Sequence, residues 1–210
     1  MRRTKAAASE TREAILDAAE TAFLTKGVSK TSLNEIAERA GVTRGAIYFH
    51  FRDKPAIYNA IIDRIKFPQE DLIDEVSRND SINPIDVLEK SACASLSRFA
   101  EDEHQQRVMT IITLRCEYVD EFSQMILRLR EAHDSMLDLF TRMLYVARSR
   151  DMLSDEWEPE DGARVLVCVV GGILHEWLNS AKNFDLYALG TRLILSQTRS
   201  FRKNSRELVG

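Results

Sequence analysis

The stretch Ser32-Leu-Asn-Glu-Ile-Ala-Glu-Arg-Ala-Gly-Val-Thr-Arg-Gly-Ala-Ile-Tyr-Phe-His50 admits few conformations. Ser32 and Glu35 have capping-box spacing, in which the serine hydroxyl and the glutamate carboxylate each take one unpaired N–H at a helix start. Gly41 follows, where the chain must turn tightly through positive φ, and Thr43 then caps a second short helix. Two helices crossing steeply through such a turn need a small residue at their closest approach, a turn glycine, and an apolar wedge on the second helix. Ala37, Gly41 and Ile47 supply these in order, so the pattern predicts a helix-turn-helix.

The rest of the chain carries the 3.6-residue period. Ile15, Ala18, Ala19, Ala22 and Phe23 form one stripe between Ser9 and Gly27. Asp53 and Pro55 open a helix running to about Phe67, because proline's missing N–H costs nothing in a first turn. Ser77 to Pro84 is rich in turn formers and reads as a loop. Ile85, Leu88, Ala92, Leu96 and Phe99 mark the next helix, and Val108, Ile111, Ile112 and Cys116 another. A stripe from Phe122 to Leu144 predicts about seven turns.

The β-branched run Val165 to Val170 would suit a buried strand on periodicity alone, but no partner strand is legible, so a helix from Asp161 to about Asn179 is the better reading. Apolar on all sides from Val165 to Leu174, it calls for burial on more than one face, and a second copy of the chain is the simplest partner. A last helix from Asp185 to about Phe201 presents Leu189, Leu193 and Ile194 on one side. The fold class expected is all-α with about nine helices: a three-helix helix-turn-helix module over residues 1–54, then a larger helical ligand-binding and dimerisation domain over 55–210.

A hydrophobic fraction of 44% with 30% charged residues and few Gly and Pro fits a folded chain. The net charge of −4 hides an asymmetry: residues 1–54 hold 10 basic against 7 acidic side chains, and the remainder is acidic. The first segment can sit on phosphates that would repel the second. Cys93, Cys116 and Cys168 form no CxxC and read as buried thiols in a reducing compartment. No apolar run approaches the ~20 residues needed to span a bilayer, and the N-terminus has no apolar leader core, so a cytoplasmic protein without membrane contact is expected. HExxH, GxSxG, GxGxxG and P-loop motifs are absent, and His50, His104, His133 and His175 are scattered. A non-enzyme with neither cofactor nor metal is expected.

Thr43, Arg44, Gly45 and Ala46 stand at the end of the second short helix that a recognition helix inserts among base edges. Arg44 suits guanine O6 and N7, Gly45 permits close backbone approach, and Ala46 suits a thymine methyl. Tyr48, His50 and Lys54 would reach phosphates. Singly, Arg44, His50 and Lys54 would be surface charge, and Tyr48, Phe49 and Phe51 core aromatics. Caps, turn glycine, wedge and basic tip agreeing in one window carry the reading.

From Thr31-Ser-Leu-Asn-Glu-Ile-Ala through Gly41-Val-Thr-Arg-Gly-Ala-Ile-Tyr-Phe-His-Phe-Arg-Asp-Lys54, the chain resembles the TetR family of bacterial repressors nearly residue for residue. Arg2-Arg-Thr-Lys5 and Thr11 to Glu20 are similar to its AcrR-like branch, which controls multidrug efflux pumps. The resemblance implies base contacts from Arg44 and Gly45, backbone contacts from Thr31, Ser32, Thr43, Tyr48, His50 and Lys54, and an arm at Arg2 to Lys5 near flanking phosphates. The branch commonly has Tyr-Trp-His where this chain has Tyr48-Phe49-His50, so an indole N–H is lost, and a contact at Phe49 is left open.

The implied function is a ligand-responsive repressor that binds a palindromic operator in double-stranded DNA as a dimer. It would control an efflux pump and be released by hydrophobic drug-like or plant and aromatic compounds. A regulator of lipid or small-metabolite genes with an acyl or aromatic ligand is the alternative. By position along the helices, Met109, Thr113, Met136, Phe140, Val167, Val170, Gly171 and His175 are the expected effector contacts, with Leu88, Ser91 and Glu117 as additions. Each apolar member would equally serve as core. Gly171-Gly172 makes room either for a ligand or for a second subunit, and dimerisation is expected through the last two helices.

Overall fold

The computed structural model describes residues 5–65 and 82–203. Among them are nine α-helices: α1 Lys5–Lys26, α2 Leu33–Arg39, α3 Arg44–His50, α4 Lys54–Ile62, α5 Pro84–Glu101, α6 Glu103–Leu114, α7 Met125–Ser149, α8 Pro159–Asn179 and α9 Leu186–Phe201. A 3-10 turn, Asp120–Phe122, precedes α7. Leu153 and Arg202 form an isolated bridge, and no strand occurs among the described residues. The all-α expectation holds. The chain divides into two compact units, 1–66 with 103–129 and 67–102 with 130–210.

In the first unit the stripe of α1 buries Ile15, Leu16, Ala19 and Phe23 against Ile36, Ile47, Ile57, Ile61, Ile111 and Phe122. The helix stops at Gly27, whose φ of +87° places it in the left-handed region. Arg115, just past α6, turns its carbonyl to this stop and accepts the Val28 N–H at 2.8 Å. Deeper in α1, the buried carboxylate of Glu20 takes Arg107 at 2.7 Å and His104 at 3.2 Å from α6. Such a carboxylate is tolerated because its partners offset the cost of desolvation.

α4 ends at Ile62, short of the expected Phe67. Arg64 and Ile65 donate to carbonyls only three residues back, so the 3.6-residue ladder has tightened and closed. The Arg64 guanidinium there meets Asp17 at 2.8 Å and Glu13 at 2.5 Å. Residues 66–68, where the helix was expected to end, lie outside the described residues, as do 77–81 of the expected loop. Pro84 proves to be the first residue of α5, capped by Asn83, whose Oδ1 accepts the Ile85 N–H at 2.9 Å.

The second unit centres on Ile85, Leu88, Met143, Leu144, Leu166 and Phe201. Its helices approach closely at two glycines: a Cβ at Gly190 would lie 2.4 Å from Leu96 Cδ1, and one at Gly162 would lie 2.9 Å from Leu144 Cδ1. Thr198, fully buried on α9, donates to Glu89 of α5 at 2.6 Å. The stripe expected from Phe122 is broken, since Phe122 closes the 3-10 turn and α7 begins at Met125.

α8 is helical through Val165 to Val170, as expected. Burial on all sides is not supplied by this chain, however, because Cys168, Gly171, Gly172 and His175 are exposed. The expectation of three buried thiols fails with it, as Cys93 and Cys116 are half-buried and Cys168 is exposed. On α9, Ile194 is buried while Leu193 and Tyr187 are exposed. No helix among the described residues is long and apolar enough to cross a membrane.

Candidate nucleic-acid interface

α2 opens as its cap predicts: Ser32 Oγ accepts the Glu35 N–H at 3.2 Å. The reciprocal half of the capping box is replaced, because the Glu35 carboxylate pairs with Lys26 at 2.6 Å. Gly41 takes φ +66°, and a Cβ there would touch nothing within 4 Å, so the backbone conformation alone calls for glycine. Val42 then donates to the Ala37 carbonyl at 2.9 Å. Ala37 and Ile47 are both buried where α2 and α3 pack together, as the spacing predicts.

Thr43 caps α3 by accepting the Ala46 N–H at 3.2 Å. With Ile47 inside, the period turns Arg44, Gly45, Tyr48 and Phe49 outward. Arg44 lies one turn from Tyr48, donates to its hydroxyl at 3.0 Å and rests over its ring. Such stacking fixes the guanidinium beside the exposed Tyr48 ring. Phe49 is 78% exposed, whereas Phe51 is buried with Arg12 over its ring. The chain thus distinguishes two aromatics that periodicity alone leaves ambiguous. Gly45 has room for a side chain, its hypothetical Cβ lying 3.8 Å from Thr43 Oγ1, so nothing inside the fold requires glycine there.

The ten residues singled out from the sequence therefore separate. Ser32, Thr43, Arg44, Gly45, Tyr48 and Phe49 are exposed, and Ala46 and His50 are half-buried. Thr31 is buried and donates its hydroxyl to the Gly27 carbonyl at 2.8 Å. Lys54 directs its ammonium to the carbonyls of Ser29 and Thr31, at 3.2 and 3.1 Å, and to Glu121 at 3.3 Å. Thr31 and Lys54 thus also shape the loop between α1 and α2. Glu121 gave no sequence signal, because nothing local links it to a residue 67 positions earlier. Arg52, exposed and paired with Asp53, was within the basic window and was passed over.

Residues 115–122 are fastened to this module from behind. Tyr118 donates to the Ile112 carbonyl at 2.6 Å and so accepts from Tyr58 of α4 at 2.9 Å. Phe122 packs edge-on against the Tyr58 ring. Burial pushes the Tyr118 phenol up to about 12 and the Tyr58 phenol higher, and it raises the Cys116 thiol.

The eleven expected effector contacts divide between the units. Met109, Thr113 and Glu117 belong to the first, where Met109 packs on the core, Thr113 bonds back to the Met109 carbonyl and Glu117 is exposed. Leu88, Ser91, Met136, Phe140, Val167, Val170, Gly171 and His175 belong to the second. Leu88 and Val167 are buried there, and Gly171 and His175 are exposed. A groove beside α8, lined by Trp157, Asp161, Arg164, Val165, Cys168 and Val169, includes none of them.

An arginine-tipped short helix, wedged across its neighbour by Ile47 and free of the fold along its outer side, defines a helix-turn-helix transcriptional regulator. The chain belongs to the TetR family: residues 15–61 match the bacterial regulatory proteins of that family, and residues 83–201 match the C-terminal region of MAATS-type transcriptional repressors. It is 52% identical over 202 residues to the HTH-type transcriptional repressor BepR of Brucella suis biovar 1, covering 96% of this chain and 97% of that one.

The HTH-type transcriptional regulator TtgR of Pseudomonas putida is 32% identical over 189 residues, 89% of each chain. Among solved structures, NalD, the secondary repressor of the MexAB-OprM multidrug efflux pump in Pseudomonas aeruginosa, superposes with a TM-score of 0.85 at 30% identity, covering 95% of this chain and all of that one. A SmeT–triclosan complex superposes with a TM-score of 0.77 at 31% identity over 93% of each. Members of this family are regulators rather than enzymes; they bind operator DNA, typically as dimers, and answer to small-molecule effectors.

Proposed function

We propose that the chain represses a multidrug efflux operon from the cytoplasm, binding a palindromic operator as a homodimer and leaving it when a hydrophobic drug-like or aromatic compound binds. The exposed Arg44–Gly45 tip of α3 carries this reading: an exposed arginine bonded to Tyr48, beside a glycine the fold does not need. Arg44 reads guanine, Gly45 admits the DNA backbone and Ala46 meets a thymine methyl. Ser32, Thr43, Tyr48, Phe49, His50 and Lys54 set the register on phosphates and sugars, with Thr31 supporting them from the loop between α1 and α2. NalD's role at an efflux pump supports the choice of operon.

In this reading residues 1–54 bind DNA, and residues 55–210 bind effector and second subunit. Dimerisation uses α8 and α9, whose outward Cys168, Gly171, Gly172 and Leu193 leave small and apolar surface without a partner in one chain. Effector contacts fall among Leu88, Ser91, Met109, Thr113, Glu117, Met136, Phe140, Val167, Val170, Gly171 and His175. The paired α3 helices must stand about one DNA turn apart, ~34 Å, and an effector preferring a different spacing releases the operator if it distinguishes the two states by a few kcal/mol. Gel shifts on DNA flanking the protein's own gene test this. Specific retention at ~150 mM salt, relieved by hydrophobic efflux substrates, is expected; retention of the same sequence by a folded Arg44→Ala variant at equal affinity would refute it.

A further inference from the structure

The Asp120–Phe122 turn brings an acidic side chain into the surface that the proposed function assigns to the DNA backbone. Thr31, Ser32, Tyr48, Arg52, Lys54 and Glu121 line one notch in the first unit. An ammonium has three N–H donors. In Lys54 two are committed to the carbonyls of Ser29 and Thr31, which fix the nitrogen at the floor of the notch, and Glu121 Oε1 forms an ion pair with that nitrogen at 3.3 Å. The Lys54 side chain is 12% exposed, against 52% for Glu121, so the carboxylate covers the ammonium from the solvent side. Phe122, buried against Tyr58 with the Lys54 nitrogen over its ring, sets the turn in place. Asp53, the other carboxylate at the notch, is occupied by Arg52 and the Ala56 N–H.

We propose that Glu121 occupies the site of an operator phosphate. It holds the Lys54 ammonium away from that phosphate, so that wild type engages one phosphate fewer, which lowers affinity without touching sequence preference. The inference rests on the DNA-binding reading above. A carboxylate oxygen and a phosphate oxygen present the same acceptor to an ammonium, and the hydroxyls of Ser32 and Tyr48 at the rim suit the remaining phosphate oxygens.

The test measures affinity against salt for full-length wild type, Glu121→Gln and Asp120→Asn, the last removing a neighbouring charge. Two duplexes of equal length serve as probes, one from DNA flanking the gene and one unrelated. Glu121→Gln is expected to bind both roughly threefold to tenfold tighter at ~50 mM salt, with a slope of log affinity against log salt steeper by about 0.9, one more phosphate engaged. Asp120→Asn is expected to show neither change. Adding Lys54→Ala should abolish the gain; if that variant does not fold, the slope of Glu121→Gln decides. An unchanged slope, or equal gains from both single substitutions, overturns the proposal while the DNA-binding reading stands. Failure of wild type to bind either duplex overturns both.

Discussion

Arg44 and Gly45 are adjacent, yet substitution should separate stability from function in different ways. Arg44 is exposed, so Arg44→Ala is expected to leave the thermal midpoint within error while weakening operator binding by about 1–3 kcal/mol, read by gel shift. Gly45→Ala has space for its methyl and gains helix propensity, so the free protein should be unchanged or stabilised by up to ~1 kcal/mol while DNA affinity falls. A loss of stability in that variant would show an internal duty for the glycine. The phenols give a pH signature. Tyr118 ionises near 10 when unfolded and near 12 in the fold, so the fold favours the neutral ring. Its contribution is complete below pH 10 and drains away as pH rises toward 12. Urea melts across that range should lose stability, and Tyr118→Phe should cost about 1–3 kcal/mol at neutral pH by stranding the Tyr58 hydroxyl and the Ile112 carbonyl.

Helix contacts in the second unit are set by the absence of side chains as much as by their presence. Gly190→Ala drives a methyl to within 2.4 Å of Leu96 and should lower stability by about 1–3 kcal/mol, measured by denaturant midpoint. The helices themselves were largely legible, because caps such as Ser32, Thr43 and Asp53 act on N–H groups three residues ahead. What escaped the sequence was set at a distance. α4 ends early where Arg64 reaches Glu13 and Asp17 on α1, and the stripe into α7 breaks where Phe122 turns inward to Tyr58. The helix-turn-helix was readable for the same reason as the caps, being built from one contiguous window. The duty of Lys54 was not, since its partners lie 23, 25 and 67 residues away in sequence. The residues expected to meet an effector are scattered between two cores, and periodicity reports burial without reporting which core.

Assembly should be controlled from α8 and α9. Leu193→Glu places a charge on their outward apolar surface and is expected to shift a dimer to monomer in sedimentation, with operator affinity lost alongside. Cys168, exposed in one chain, should react with a thiol reagent in that variant and resist it in the wild-type dimer; equal reactivity would place the interface elsewhere. The division of the chain into units also bears on how it can be cut. The core beneath α1 to α4 is completed by Val108, Ile111, Ile112 and Phe122, contributed by a segment that returns only after α5 has been laid down in the other unit. A gene fragment encoding just the opening portion would leave that oily face bare and yield an aggregating peptide rather than a miniature reader. Grafting this specificity onto another protein therefore means transplanting two separate stretches of chain.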